Sequence, residues 1–246
     1  MLKKLFLLLI FPLINFSQDD KFILSTVAFY NVENLFDAFD DPKNSWDQNW
    51  LEEGTWNESI YQQKLKNISR VIPEIGYDYS GANPTIIGLC EVENRKVLID
   101  LVQSESMKKY NYGIIHFDSP DERGIDVALL FDRLRFKPVK TKRYQLKLKR
   151  ENGDIDFTRD QLLVEGFLDQ EKIYFIINHW PSRSGGQIKS EPSRIKAGQL
   201  NKRIIDSIQI LNQKAKIITM GDFNDDPRDI SIKNTLNTSD KKNKLS

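Results

Sequence analysis

The sequence predicts a layered α/β fold, because strand-like and helix-like segments alternate along most of the chain. The first sign is a series of short apolar or β-branched runs, several of them apolar on both faces, as in strands that are buried inside a protein. The second is a set of longer segments whose apolar residues recur at helical spacing. The third is that no repeat or low-complexity linker divides residues 18–246. Strands mixed with helices in one domain indicate an α/β or α+β layered architecture.

The apolar runs and the helical periods place the individual elements. Strands are expected at Phe22–Tyr30, Thr85–Cys90, Tyr112–Phe117, Asp126–Phe131, Leu162–Leu168, Lys172–Asn178 and Lys216–Met220. Helices are expected at Glu58–Ile72, Arg95–Ser104 and Pro192–Leu211, with Pro192 near the first turn of the last one. Residues Asp37–Trp56 contain several acids and three tryptophans without a clear period, which predicts a long surface loop, placed over the active face.

The segment Arg133–Arg150 contains nine Lys or Arg residues and no acid. Two interpretations are open. The favoured one is a solvated hairpin whose exposed edge is protected from further strand pairing by lysines. The other is a surface that contacts phosphates.

Composition limits the classes of function. The chain has 246 residues, with 36 Lys and Arg against 35 Asp and Glu, so it is not a binder that is basic throughout. Its single cysteine, Cys90, excludes an internal disulfide. With only His116 and His179 beside it, an ordinary Cys/His zinc cluster is excluded too. Any metal should therefore be held mainly by oxygen, as Mg²⁺, Mn²⁺ and Ca²⁺ are.

The N-terminus has the pattern of a secretory signal peptide. Lys3 and Lys4 precede an apolar run, Leu5–Phe16, which is shorter than the roughly 20 residues of a membrane span and is followed by the small residue Ser17. We expect a signal peptide at 1–17, a mature domain at 18–246 and export to the periplasm or the extracellular space. The alternative is an N-terminal core or membrane-anchor helix; after cleavage no transmembrane anchor is expected.

Polar residues follow four of the predicted strands, where ligand and catalytic groups commonly lie in α/β folds. Alternation along the first strand predicts Asn31 and Glu33 on one side of the chain, and Glu91 leaves a fully apolar strand. The remaining candidates come from the last two strands: Asn178 and His179, with Arg183 in the following loop, and then Asp222 and Asn224. Each group alone has an ordinary structural explanation, such as a strand terminator, a core histidine or an acidic turn.

Taken in order, these groups resemble the endonuclease/exonuclease/phosphatase superfamily, of which DNase I is a member. The resemblance rests on the Gly221–Asn224 run, Glu91, the Asn31–Glu33 run and the Asn178-His179 pair. It implies a four-layer α/β sandwich of two mixed β-sheets flanked by helices, and metal-dependent hydrolysis of phosphate esters. It also implies roles for particular residues: metal binding for Glu91, Asn31 and Glu33, phosphate binding for His179, activation of water for Asp222, and stabilisation of the transition state for Asn224.

The expected function is that of an exported Mg²⁺-dependent phosphodiesterase, first of all a nuclease, with Mn²⁺ or Ca²⁺ as other ions. Asn178 and Arg183 are expected to bind the nucleic acid or other phosphodiester, and no stable protein partner is expected. A phospholipid or inositol-phosphate hydrolase and a non-catalytic binding form remain as alternatives. The family ends in a strand with an Asp-His pair, but no histidine follows Asn224, which favours a truncated chain. His116 is expected on a half-exposed strand face, and it replaces the missing histidine only if its strand lies in the cleft.

Overall fold

A computed structural model describes residues 23–41, 51 and 54–239 of the chain. The expected signal peptide at 1–17 lies outside the described residues, as do the domain boundary at residue 18 and most of the expected loop between Asp37 and Trp56. Two four-stranded mixed sheets form the centre of the described part.

The first sheet comes from the N-terminal half of the chain and has the strand order β1-β2-β4-β3. Its first two strands are parallel, and its other pairs are antiparallel. The strands are β1 Val27–Leu35, β2 Ile86–Val92, β3 Tyr112–His116 and β4 Asp126–Asp132.

The second sheet repeats this arrangement with later strands, in the order β10-β9-β8-β5. Its one parallel pair is again at an edge. The strands, with a short hairpin of β6 and β7 between them, are β5 Phe136–Tyr144, β6 Leu148–Lys149, β7 Ile155–Asp156, β8 Gln161–Leu168, β9 Glu171–His179 and β10 Lys216–Asp222.

Four α-helices accompany the described sheets: α1 Glu58–Val71, α2 Tyr77–Ser80, α3 Arg95–Gln103 and α4 Gln187–Leu211. Asparagine side chains cap two of them, Asn57 accepting from the backbone amide of Ile60 in α1 and Asn94 from that of Val97 in α3. Helix α4 begins five residues before the expected start. Pro192 therefore lies inside it, where proline removes a backbone hydrogen bond but leaves the helix continuous.

Three apolar cores define the layers. One lies between α1, α3 and the first sheet, the second lies between the two sheets, and the third lies between the second sheet and α4. The layers are thus helices, sheet, sheet and helix, which confirms the four-layer α/β sandwich.

Two strands differ from the sequence prediction. β1 begins at Val27 rather than Phe22 and continues to Leu35, so the polar residues expected after the strand lie within it. β5 was expected only as part of a basic hairpin, because its sequence is polar and contains Pro138. It is an edge strand that pairs with β8, a position where proline and exposed lysines are tolerated. The edge-strand interpretation of Arg133–Arg150 is therefore confirmed for β5.

Among the described residues, no helix combines the length and the apolar character that crossing a membrane requires.

Candidate active site

The parallel edge pairs of the two sheets meet face to face, and the candidate residues lie at their carboxyl ends. β1 and β2 carry Asn31 and Glu91, while β9 and β10 carry His179 and Asp222. The geometry thus brings together residues that are up to 191 positions apart in the chain.

The Asn31 side chain joins the two sheets. Its Nδ2 donates one hydrogen bond to Oε1 of Glu91 and another to Oδ2 of Asp222, each 3.1 Å long. Its Oδ1 accepts a 2.8 Å hydrogen bond from the backbone amide of Glu33, which fixes the orientation of the amide group. Asn31 therefore holds two carboxylates, one from each sheet, beside each other.

A bulge in β2 turns Glu91 towards this cluster. Cys90 pairs with Val127 and Val92 pairs with Asp126, so Glu91 has no partner residue on β4. Its φ of 63° is left-handed, which is unusual for glutamate and costs about 1–3 kcal/mol. Such strain commonly lies at functional sites, where surrounding contacts maintain it.

A larger irregularity in β1 moves Glu33 away from the cluster. Asn31 pairs with Cys90 and Leu35 pairs with Val92, and both Glu33 and Asn34 are left-handed between them. The simple alternation that placed Asn31 and Glu33 on one side is therefore wrong. Within the described part of the chain, the exposed Glu33 carboxylate takes no part in the hydrogen bonds of the cluster.

His179 lies at the bottom of the cluster and is 4% exposed. Its Nε2 is 3.7 Å from Oε1 of Glu91, and its buried Nδ1 has no hydrogen-bond partner among the described residues. Burial, together with the positive charges of Arg159 and Arg123, lowers the pKa of the imidazole to about 2. His179 is therefore neutral over the physiological range.

The turn after β10 positions Asp222 and Asn224. Gly221 is required because a Cβ there would lie 2.3 Å from the carbonyl oxygen of Asn178 on the neighbouring strand. Asn224 is left-handed, with φ 52°, and its backbone amide donates a 3.0 Å hydrogen bond to Oδ1 of Asp222. Its Nδ2 donates one hydrogen bond to the carbonyl oxygen of Trp180, which leaves one amide hydrogen for another acceptor.

Asn178 supports the site from below and does not face a ligand. The residue is completely buried. Its Nδ2 donates to Thr219 Oγ1 and to backbone carbonyls, and its Oδ1 accepts from Trp180 Nε1 and Asn201 Nδ2. Since protein groups occupy its donors and acceptor, the prediction that Asn178 contacts the substrate is wrong.

The Arg183 side chain likewise forms its hydrogen bonds with other residues of the protein. Its Nε donates a 2.8 Å hydrogen bond to the carbonyl oxygen of Asn224, and its Nη2 donates to Asp226 and Asp229. The prediction that it clamps a phosphate is therefore not supported by its position, which instead stabilises the turn that carries Asn224.

The completely buried pair Arg194 and Asp225, whose Nε and Oδ1 are 2.5 Å apart, anchors the same turn to α4. A buried ion pair of this kind fixes geometry, because a displaced charge would be left without compensation.

Two arginines that sequence reasoning gave no role lie beside His179. Arg159, 7% exposed, donates to Asp121 Oδ2 (3.0 Å) and to the carbonyl oxygen of Trp180 (2.8 Å), while its buried Nε has no partner in the described part. Burial and the neighbouring Arg159 lower the pKa of Arg123. The sequence offers no local signal for Arg159, because its acidic partner is 38 residues away.

His116 lies on β3, at the edge of the first sheet opposite β1. It is 9% exposed rather than half-exposed, and its Nε2 is 3.0 Å from Oδ2 of Asp126. β3, which carries it, is separated from β2 by β4. His116 is therefore not part of the Asn31–Glu91–Asp222 cluster.

The donor set of the cluster suits a hard divalent cation. Two carboxylates accept hydrogen bonds from the same amide nitrogen and so lie close together, and Mg²⁺ needs few protein ligands because it retains several waters. Glu91 would be the principal ligand, with Asn31 and Asp222 beside it.

Comparison with known families agrees with this geometry. Residues 26–246 match a sequence model of the Endonuclease/Exonuclease/phosphatase family. The chain belongs to this family. The resemblance found in the sequence is thereby confirmed, and family enzymes typically use divalent metals. No curated protein matches the chain in sequence.

Several solved structures share the fold at low sequence identity. ANGEL2, described as a 2′,3′-cyclic phosphatase, has a TM-score of 0.54 and 16% identity, with 84% of this chain and 54% of that chain covered. A family protein from Bacteroides thetaiotaomicron has a TM-score of 0.52 and 15% identity, with 85% and 64% covered. Humanised TDP2 from D. rerio has a TM-score of 0.51 and 15% identity, with 82% and 63% covered. The chain spans 54% to 64% of the length of these three structures.

Proposed function

We propose that the chain is an exported, divalent-metal-dependent phosphodiesterase that hydrolyses nucleic acid, with Mg²⁺ as its ion. The observation that carries the proposal is the Asn31 bridge between Glu91 and Asp222, formed where the two sheets meet. The Lys3–Ser17 pattern supports export.

The charge around the cluster supports a phosphate as the group that is bound. Arg159 and Arg123 lie near His179, with Asp121 as the acid that pairs Arg159. The unpaired Nε of Arg159 is a buried donor, and guanidinium groups bind phosphate oxygens well.

Each side chain then has a chemical task. A bound Mg²⁺ would polarise the phosphate and reduce the cost of the negative charge that develops on it. Asp222 can accept the proton of the attacking water, since Asn31 and the backbone amide of Asn224 hold its two oxygens in place. The second amide hydrogen of Asn224 and the neutral imidazole of His179 can bind phosphate oxygens.

The lipid alternative has less support. Its basis in the sequence is the tryptophan-bearing segment 46–56, whose rings would contact lipid, but Trp46 and Trp50 lie outside the described residues. The indole nitrogen of Trp56 donates to the carbonyl oxygens of Phe36 and Asp37, so this end of the ring faces the protein.

The first test replaces the principal metal ligand. Glu91→Gln keeps the shape of the side chain but removes its charge, and we expect cleavage of DNA or RNA with Mg²⁺ or Mn²⁺ to fall about 10²–10⁴-fold. Glu165→Gln, on β8 beside Lys172, is the matched control and should retain activity. Turnover of nucleic acids, of a simple diester and of phospholipid vesicles is measured in parallel. Cleavage of vesicles alone would replace the nuclease by the lipid hydrolase, and no cleavage of any substrate would refute the proposal.

A further inference from the structure

A second group of possible metal-binding atoms shares Asp222 with the proposed magnesium ligands. One ligand atom each from Cys90, His179 and Asp222 lies within 4.8 Å of the others. Cys90 is completely buried, and it belongs to the core between the sheets. Composition excluded an ordinary Cys/His cluster, but the fold assembles a mixed set of sulfur, nitrogen and oxygen donors.

A separate observation concerns the imidazole of His179. The His179 side chain is almost completely buried, yet its Nδ1 has no hydrogen-bond partner among the described residues. Buried polar atoms without a partner are rare in proteins and call for an explanation such as a bound ion or water. A metal ion bound to this imidazole would explain why the nitrogen has no partner.

The donor types select a different ion from the one proposed for Glu91. Thiolate and imidazole favour Zn²⁺ and other soft ions, whereas Mg²⁺ prefers oxygen alone. Zinc lies about 2.3 Å from thiolate sulfur and about 2.0 Å from imidazole nitrogen, so its ligand atoms lie roughly 3–4 Å apart. The present atoms lie within 4.8 Å of one another, so binding requires them to approach by up to about 1–2 Å.

We propose that Cys90, His179 and Asp222 form a binding site for a soft divalent ion such as Zn²⁺, and that the bound ion inhibits the enzyme. The sulfur–metal bond replaces the thiol proton, which passes to solvent. Inhibition follows because the ion occupies His179 and Asp222, which the reaction uses. The inhibition rests on the proposed function, whereas the binding does not.

The binding is tested with Cd²⁺, a spectroscopic substitute for Zn²⁺. Because Cys90 is the only cysteine of the chain, a thiolate-to-cadmium charge-transfer band in the ultraviolet reports this residue alone. We expect the band in the wild type with Mg²⁺ present in excess. His179→Ala and Asp222→Asn should weaken Cd²⁺ binding about tenfold or more, since each removes a ligand.

The matched control is Asp118→Asn, which changes an exposed acid in the other candidate group, His116, Asp118 and Asp126. It should change neither the intensity of the charge-transfer band nor the Cd²⁺ concentration at which the band is half-maximal. Absence of the band would overturn the proposal, as would equal affinity in the wild type, His179→Ala and Asp222→Asn. Circular dichroism checks that the variants fold. X-ray absorption spectroscopy of the zinc-loaded wild type gives a second test. We expect one sulfur and one imidazole nitrogen among the atoms that coordinate the zinc ion.

The inhibitory effect is tested separately on Mg²⁺-dependent cleavage. Zn²⁺ should inhibit the wild type at concentrations at least tenfold below those that inhibit Cys90→Ala, which lacks the thiol. Equal inhibition of both proteins would overturn the regulatory part of the proposal. If the wild type cleaves no substrate, the proposed function fails, while the Cd²⁺ band still decides whether the site exists.

Discussion

Asn31 shows how much of the candidate site depends on one amide group. Its two Nδ2 hydrogens reach carboxylates of different sheets, so it compensates the repulsion of two negative charges that lie close together. The residue types at such positions were predictable, because carboxylates and amides follow apolar strands in the sequence. Arg159 was not, since only its distant partner Asp121 and the Trp180 carbonyl place it in the site.

Replacing Asn31 by Asp tests this role. The change removes the bridging donor and adds a third carboxylate, so we expect a lower melting temperature without metal and a larger increase on adding Mg²⁺ than in the wild type. Thermal unfolding with and without Mg²⁺ measures both effects.

The control for this change is Asn34→Asp, three residues further along β1, where the side chain is outside the bridge. It should change neither the melting temperature nor its metal dependence by much. Equal behaviour of the two variants would contradict the bridging role of Asn31.

At the scale of elements, strand irregularities and close contacts between strands determine where the site residues lie and how their side chains are oriented. The bulge at Glu91 resets the alternation of β2, so that Val92 packs in the core on the helix side while Glu91 reaches the cluster. Sequence periodicity assumes regular strands, and it therefore misplaced Glu33 on β1.

Gly221 provides a test of the close contact between β9 and β10. In Gly221→Ala the new Cβ would meet backbone atoms of Asn178, which cannot move without separating the strands. We expect the free energy of unfolding to fall by about 3 kcal/mol, the upper end for an overpacked core. Gly88→Ala is the comparison variant, because its nearest contacts are side-chain atoms of Phe29 and Met220 rather than backbone atoms, and we expect a smaller loss there. Urea unfolding compares the two, and an equal loss in both would contradict this account.

Arg135 and Asp169 fasten the turn between β8 and β9 to the first sheet. Arg135 donates to both carboxylate oxygens of Asp169 and also to Ser25 and Thr85. Hydrogen bonding to Arg135 lowers the pKa of Asp169. The stabilisation is therefore fully present above the unfolded-state pKa of about 4 and is lost as the pH falls through the lower folded-state pKa.

We expect Asp169→Asn to lower the free energy of unfolding by about 1 kcal/mol at pH 7, since asparagine keeps the left-handed backbone but loses the charge. In strong acid the difference from the wild type should disappear. Glu171→Gln, which removes an exposed pair with Lys216, is the control and should have little effect at either pH. Urea unfolding at neutral and acidic pH measures the differences. A difference that persists in acid would show that the charge is not responsible.

At the scale of the whole molecule, the candidate site lies between the sheets rather than within one of them. A metal ion held by Glu91 and Asp222 would connect the two halves of the sandwich, and it would have little affinity for the unfolded chain. Metal binding should therefore stabilise the folded protein as a whole.

Mg²⁺ at 100 times its dissociation constant should raise the free energy of unfolding by about 2.7 kcal/mol in the wild type. The effect should be largely absent in Glu91→Gln. Calorimetry or denaturant unfolding at a series of Mg²⁺ concentrations measures it, with Glu165→Gln as a variant that should keep the full effect. Equal stabilisation of Glu91→Gln would place the ion elsewhere.

The sequence by itself determined the layered α/β fold, the order of most strands and helices, and the residues Asn31, Glu91, His179, Asp222 and Asn224 of the candidate site. These follow from local patterns: apolar periodicity and polar residues at strand ends. Only the tertiary structure decided that Asn178 and Arg183 serve the protein itself, that Glu33 leaves the cluster, and that Arg159 and Cys90 enter it. Those outcomes depend on bulges and on contacts between distant residues, which no local pattern records.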